Sequence, residues 1–139
     1  MHFGKRPLRV IPGSQKGPVY DHHKDGLFIG GIEASALQDQ LDEAVALTAP
    51  VESISIHHVR MLNASSENGS DRERPLLLFS YTAVDAFPIF EAPSLVEFDN
   101  RILRGDRTFS PRLTAVPARL PRRKDANWIF DNQKGLAVA

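Results

Sequence analysis

The sequence predicts a mainly β domain, either a sandwich or a barrel, and three observations support this. First, Ser53–Leu62 places residues on alternate faces with the period of two that is typical of a half-buried strand. Second, Leu76–Thr82 is apolar enough for a strand that is buried on both faces. Third, glycine, proline, asparagine and serine clusters separate such runs, while residues 33–43 alone have helical spacing.

The other predicted elements are shorter. Three further strand candidates, each stopped by glycine or proline on at least one side, are Leu8–Ile11, Leu27–Ile29 and Ala44–Thr48. In the predicted helix, Leu37, Leu41 and Ala44 recur at the spacing of one helical face, and polar residues fill most of the remaining positions. We therefore expect this helix to cover one side of the sheet with a narrow apolar face.

The chain becomes irregular after residue 84 because prolines recur along it. We expect residues 1–108 to form the domain and residues 109–139 to form a Pro/Arg-rich extension that wraps it. The basic side chains of this extension are Arg112, Arg119, Arg122, Arg123 and Lys124. Such a cluster could bind a phosphate, a coenzyme A tail or RNA, but its proline spacing and the neutral net charge favour a solvated tail.

The amino-acid composition argues against several classes of function. Seventeen basic residues balance seventeen acidic ones, so the chain has no overall attraction to nucleic acid or to an anionic membrane. It contains no cysteine, which excludes disulfides and thiolate chemistry. No apolar stretch approaches the roughly 20 residues of a membrane helix, and the first 12 residues do not resemble a signal peptide. We expect a cytoplasmic protein with neither a nucleic-acid nor a membrane partner.

A polar loop, Asn63–Arg74, joins the two best strand candidates and carries the clearest motif. It resembles the loop His-x-Ser-x-x-Asn-x-Ser-x-x-x-Arg of the phytanoyl-CoA dioxygenase family, whose members are iron(II)/2-oxoglutarate oxygenases. Ser65, Asn68, Ser70 and Arg74 match that pattern. Asn63 stands where the family has its iron-binding histidine.

The resemblance extends over nearly the whole chain. Leu8–Gly17 is similar to the family's strand followed by Pro-Gly-Ser-His-Lys, with Gln15 in place of that histidine. Ser53–Arg60 and Phe79–Pro88 are also similar to bacterial members. The resemblance implies the C-terminal part of a double-stranded β-helix, or jelly roll, with one short helix and an irregular C-terminal segment.

The resemblance also implies a damaged metal site. Family members bind iron through a His-x-Asp pair upstream of Pro-Gly-Ser and through the histidine that Asn63 replaces. We expect the pair to be absent, since Pro12 lies so close to Met1. A facial site for Fe(II) needs two histidines and one carboxylate, and an amide oxygen is a much weaker ligand. Arg74 and Ser65 would still bind the 2-oxoglutarate carboxylate through charge-assisted hydrogen bonds.

A rival metal site uses other residues. His23 and Asp25 are formally a His-x-Asp pair, and His57 or His58 could supply a third ligand. The context is unfavourable because His23 lies in a glycine-rich loop. His57 and His58 point to opposite sides of a strand, so they are not expected to bind one metal together.

These observations predict a truncated or degenerate oxygenase that is inactive alone. Part of a jelly roll exposes open sheet edges, so we expect a homodimer or a partner subunit that completes the sheet. The alternatives are a regulatory subunit that binds a small carboxylate at Arg74, an active oxygenase with a non-standard iron site, and a gene fragment. The substrate is not encoded in any recognisable motif.

Overall fold

A small antiparallel sheet organises the N-terminal part of the chain. The computed structural model describes residues 7–65, 68–73, 75–89 and 94–121. Strand β1 (Arg9–Val10) lies between β4 (Val45–Ala46) and β5 (Asn63–Ala64) and pairs antiparallel with both. Val10 is opposite Val45 on one side and opposite Asn63 on the other. The strands are only two residues long, and Leu47 extends the ladder by donating its N–H to the Leu8 carbonyl at 2.8 Å.

A two-stranded hairpin follows β1. Strands β2 (His23–Lys24) and β3 (Leu27–Phe28) pair antiparallel, with His23 opposite Phe28. Asp25 and Gly26 form the turn with φ of 50° and 78°. Two consecutive positive φ angles match the tight turn whose twist suits a hairpin, and Asp-Gly is a preferred sequence there.

Residues 33–43, predicted to be one helix, form two 3₁₀ helices instead. These span Ala34–Ala36 and Gln38–Glu43, and Leu37 lies between them. Neither has a side-chain N-cap, and no basic residue lies in either last turn. A segment with a single buried leucine gains little from α-helical packing, which accounts for the short, tighter turns. The predicted position is right and the helix type is wrong.

The hydrophobic core is small and lies beside the sheet. Ile11, Leu37 and Leu62 form one buried cluster. Tyr20, Ile32, Leu41 and Ala44 pack against it while remaining partly exposed. Val10 and Ile29 are also buried. The predicted apolar face of residues 33–43 therefore does contribute to the core, through Leu37 and Leu41.

The described part of the chain divides into two compact units, one up to Pro75 together with Pro121, and the other from Leu76 to Leu120. The second unit contains α1 (Leu95–Asp99), which was not predicted. Ser94 and Glu97 form a complete capping box at its start. The predicted boundary between residues 108 and 109 stays a prediction.

The two best strand candidates are not strands in the described structure. Residues 53–58 and 75–82 form neither helix nor strand, and β5 begins only at Asn63. All these residues are exposed. A strand is stable only when its backbone N–H and C=O groups pair with a neighbour, and the described residues supply no such neighbour here. The fold consists mostly of short strands and loops with one α-helix among the described residues, which is compatible with a mainly β class.

Candidate cofactor site

Ser14 connects the Pro-Gly-Ser turn to the start of the polar loop. Its hydroxyl donates to the Ile11 carbonyl at 2.6 Å and accepts the Leu62 N–H at 2.9 Å. Ile11 in turn donates its N–H to the Leu62 carbonyl at 3.0 Å. Gly13 begins the turn at φ 84°, a conformation that glycine adopts without strain. The serine therefore fixes the residue that immediately precedes Asn63, and sequence reasoning had given Ser14 no role.

Arg60 provides a second connection between the same two segments. Its guanidinium donates to the Gly17 carbonyl at 2.6 Å, and its backbone N–H donates to Nδ1 of His58 at 3.1 Å. Met61 donates its N–H to the His58 carbonyl at 2.9 Å. His58 therefore shapes the turn before β5, and its Nδ1 accepts a hydrogen bond from the backbone rather than facing a ligand.

Asn63 is exposed at the start of β5. Its side-chain amide donates to the Met61 carbonyl at 3.0 Å, while its backbone pairs with Val10. This bond uses the Nδ2 group in a local turn. The side chain of Asn63 thus supplies at most one neutral amide oxygen to any metal, in place of the imidazole that the resemblance leads one to expect.

The loop beyond β5 is stabilised by its own side chains. Asn68 donates its side-chain amide to the Arg72 carbonyl at 2.7 Å. Ser70 donates its hydroxyl to Oδ1 of Asn68 at 2.6 Å and its N–H to the same oxygen at 3.2 Å. Two of the motif positions therefore shape the loop. Ser65 is exposed at the end of β5, and Arg74, the predicted 2-oxoglutarate ligand, lies outside the described residues.

His23, a residue of the rival metal site, contacts the carboxylate of Asp21. Its Nδ1 lies 2.5 Å from Oδ1 of Asp21, and its side chain is only 3% exposed. The ring also packs edge-on against Phe28 at a centroid distance of 5.5 Å. Asp25, in contrast, sits in the hairpin turn. In this rival pair, His23 therefore has an imidazole that packs against Phe28, whereas Asp25 is a residue of the hairpin turn.

A salt bridge joins this hairpin to the next segment. Nζ of Lys24 lies 2.7 Å from a carboxylate oxygen of Glu33. The hydrogen bond that Lys24 donates to Glu33, followed by the negative charge of Glu33, raises the pKa of Lys24 above the ordinary 10.5. Both side chains are substantially exposed, so the contact orients the hairpin and adds little to stability.

The residues that the structure describes do not fit an iron centre. Among the described residues, no three histidine, aspartate or glutamate side chains come together in a metal-binding group. His57 and His58 are exposed, His58 is engaged through Nδ1, and Asn63 is bonded to its own turn. We therefore assign no metal-dependent step to these side chains.

The Pro/Arg-rich segment is described only as far as Pro121. Within it, Arg112 donates its guanidinium to Oδ1 of Asp85 at 3.0 Å and its N–H to the Asp85 carbonyl at 2.8 Å. Arg122, Arg123 and Lys124 lie outside the described residues.

No helix in the described part of the chain is long and apolar enough to cross a membrane.

Comparison with known proteins supports the oxygenase resemblance at a coarser level. No family model matches the chain, and no solved structure matches it. The chain is 35% identical over 135 residues to a protein of Stutzerimonas stutzeri described as "Probable alpha-ketoglutarate-dependent hypophosphite dioxygenase". The match covers 93% of this chain and 47% of the relative, so the chain spans about half the length of the curated relative it matches. Since alpha-ketoglutarate is 2-oxoglutarate, this similarity supports a 2-oxoglutarate-dependent dioxygenase family for the chain.

Proposed function

We propose that this chain is a degenerate member of the phytanoyl-CoA dioxygenase family that does not catalyse oxygenation on its own. The similarity to a 2-oxoglutarate-dependent dioxygenase supports the oxygenase ancestry. The motif Asn63-x-Ser65-x-x-Asn68-x-Ser70, continued by Arg74, supports the narrower family. Loss of activity is part of the proposal.

Asn63 is the observation that carries the proposal. Imidazole suits iron, whereas a neutral carboxamide oxygen is a poor ligand for it. The Asn63 amide is also bonded to the Met61 carbonyl, and Ser14 holds the preceding residue in place. The position of the motif is thus maintained by a network of hydrogen bonds while its metal-binding group is replaced.

A second candidate function is binding of a small dicarboxylate without catalysis. The hydrogen bonds among Asn68, Ser70 and Arg72 keep the loop that leads to Arg74 in a defined shape, which favours a retained ligand site. Guanidinium binds carboxylate through two parallel hydrogen bonds. Under this second hypothesis, Arg74 and Ser65 bind 2-oxoglutarate, and the chain acts as a carboxylate-binding or regulatory subunit.

A turnover assay distinguishes the proposed inactive protein from an active oxygenase. We would incubate the purified chain with Fe(II), 2-oxoglutarate, dioxygen and hypophosphite, the substrate in the relative's name, and measure succinate. The Stutzerimonas stutzeri relative serves as the positive control. We expect succinate at the level of an iron-only blank. Succinate formation that depends on the chain and on hypophosphite would contradict the proposal.

Ligand binding tests the second candidate. We expect 2-oxoglutarate to bind saturably without metal, and Arg74→Lys to weaken this binding at least about tenfold, because lysine cannot make the bidentate contact. Arg72→Lys is the matched control, two residues away on the same loop, and should leave the affinity unchanged. Equal affinities for the wild type and both variants would remove Arg74 from the site.

A further inference from the structure

The dipeptide Asn68-Gly69 lies in the polar loop, and both of its residues are exposed. Gly69 has no side chain beside its nitrogen, and apart from its neighbours in the chain no atom lies within 4 Å of the position that a Cβ would take. Among the described residues, no hydrogen bond engages the Gly69 N–H. The backbone nitrogen that follows Asn68 is therefore unhindered.

The side chain of Asn68 is folded toward this nitrogen. Its Oδ1 accepts two hydrogen bonds from Ser70, one from the hydroxyl at 2.6 Å and one from the backbone N–H at 3.2 Å. The bond from the Ser70 N–H closes a ring of atoms that contains both the carboxamide carbon of Asn68 and the Gly69 nitrogen. Because two groups held in one small ring react without a separate encounter, this arrangement favours attack of the nitrogen on the carbon.

The orientation of the carboxamide suits this attack. Nδ2 of Asn68 donates to the Arg72 carbonyl at 2.7 Å, which fixes Oδ1 on the side of Ser70. Attack on the carbon places negative charge on Oδ1, where both Ser70 donors already point. A hydrogen bond to a charged oxygen is about twice as strong as one to a neutral oxygen. Ser70 therefore stabilises the charged intermediate more than the starting amide, as an oxyanion hole does.

We propose that Asn68 is a site of spontaneous deamidation through a cyclic imide formed with Gly69. The Gly69 nitrogen loses its proton to hydroxide and forms a bond to the side-chain carbonyl carbon of Asn68. The bond from that carbon to Nδ2 breaks, and ammonia leaves. Water then opens the ring at either of its two carbonyls and yields aspartate or isoaspartate. Water is consumed, ammonia is released, and no atom is oxidised or reduced.

The modification changes the loop that contains it. The new carboxylate cannot donate to the Arg72 carbonyl, so the bond from Nδ2 is lost. A negative charge also enters a loop position that is neutral in Asn68, and isoaspartate lengthens the backbone there. The inference involves neither iron nor 2-oxoglutarate, so it stands or fails separately from the proposed function.

The test follows the purified full chain during incubation at mildly alkaline pH. Peptide mapping by mass spectrometry distinguishes the amide from the acid, and chromatography separates aspartate from isoaspartate. Asn63 and Asn100, the other asparagines among the described residues, are internal controls because both are exposed and neither precedes a glycine. We expect Asn68 to deamidate at least about tenfold faster than either control, with both acidic products present. Equal rates at the three asparagines would overturn the proposal.

Three variants test the roles of the neighbouring residues. Gly69→Ala has room for its methyl group and no positive φ, so it should fold normally, yet it should slow deamidation about tenfold by crowding the nitrogen. Ser70→Ala should slow the reaction about threefold, less than in a buried site because water screens the charge. Ser70→Thr keeps the hydroxyl and should react at nearly the wild-type rate. An unchanged rate in Gly69→Ala, or an unchanged or faster rate in Ser70→Ala, would overturn the proposal.

Discussion

Ser14→Ala tests the network that holds the loop carrying Asn63. The hydroxyl makes two bonds, one to the Ile11 carbonyl and one from the Leu62 N–H. The Ile11 carbonyl keeps another donor in the variant, since the Ser14 N–H also reaches it at 3.2 Å. The Leu62 N–H, in contrast, loses its acceptor at a buried residue.

The expected loss of stability comes from the Leu62 N–H, because the Ile11 carbonyl keeps a donor and the Leu62 N–H loses its acceptor. A buried donor left without a partner costs about 1–3 kcal/mol. We therefore expect the variant to lower the free energy of unfolding of the N-terminal unit by about 2 kcal/mol, measured by urea denaturation. The same loss predicts exchange of the Leu62 amide that is faster by a factor of about 30.

Ser53→Ala is the matched control, because Ser53 is exposed and its side chain lies outside the core. We expect its urea midpoint and its Leu62 exchange rate to equal those of the wild type. If Ser14→Ala left Leu62 exchange unchanged while the chain stayed folded, the hydroxyl would not be the acceptor, and the account of the loop would be wrong.

Three further perturbations test local features. Gly26→Ala should lower the urea midpoint by an amount equivalent to about 1 kcal/mol, because φ is 78° in the hairpin turn, whereas Gly69→Ala, which has open space around it and no positive φ, should not. Glu33→Gln should lower the pKa of Lys24 toward 10.5, as followed by NMR titration. Since Glu33 raises that pKa, the small stabilisation from this exposed ion pair is present below pH 10.5 and is lost as the pH rises through the raised value. Ser94→Ala should speed amide exchange in the short helix about fivefold, a cost of about 1 kcal/mol for a lost N-cap, and unchanged exchange would contradict the capping box.

Local patterns predicted part of the fold. Leu8–Ile11 and Leu27–Ile29 were expected to be strands, and the structure places β1 and β3 within them. Strand β2 was missed because His23–Lys24 is polar and only two residues long. The α-helix was also missed, although Ser94 and Glu97 form a capping-box pattern that the sequence displays.

The strongest strand signals failed for a non-local reason. The alternating pattern of Ser53–Leu62 indicates a segment that is suited to a sheet. The apolar composition of Leu76–Thr82 indicates the same. They do not provide the neighbouring strand that its backbone needs. In the structure, residues 53–58 and 76–82 are exposed and belong to no strand, so what these residues lack is a neighbouring strand rather than a suitable sequence.

The motif predicted a candidate loop for the site but not the hydrogen bonds that support this loop. Asn63 and Ser65 were identified by their positions in the motif. The hydroxyl bridge of Ser14 and the bonds between Asn68 and Ser70 join residues by geometry that spacing alone does not reveal. Arg74, the main predicted carboxylate ligand, lies outside the described residues, and its role stays a prediction.

An anaerobic calorimetric titration of the purified chain with Fe(II), in the presence and absence of 2-oxoglutarate, tests the central claim most directly. The account predicts no stoichiometric iron binding under either condition, because Asn63 replaces the imidazole ligand and its amide is bonded within its own turn. One equivalent of Fe(II), bound more tightly when 2-oxoglutarate is present, would contradict it and would establish a working metal centre.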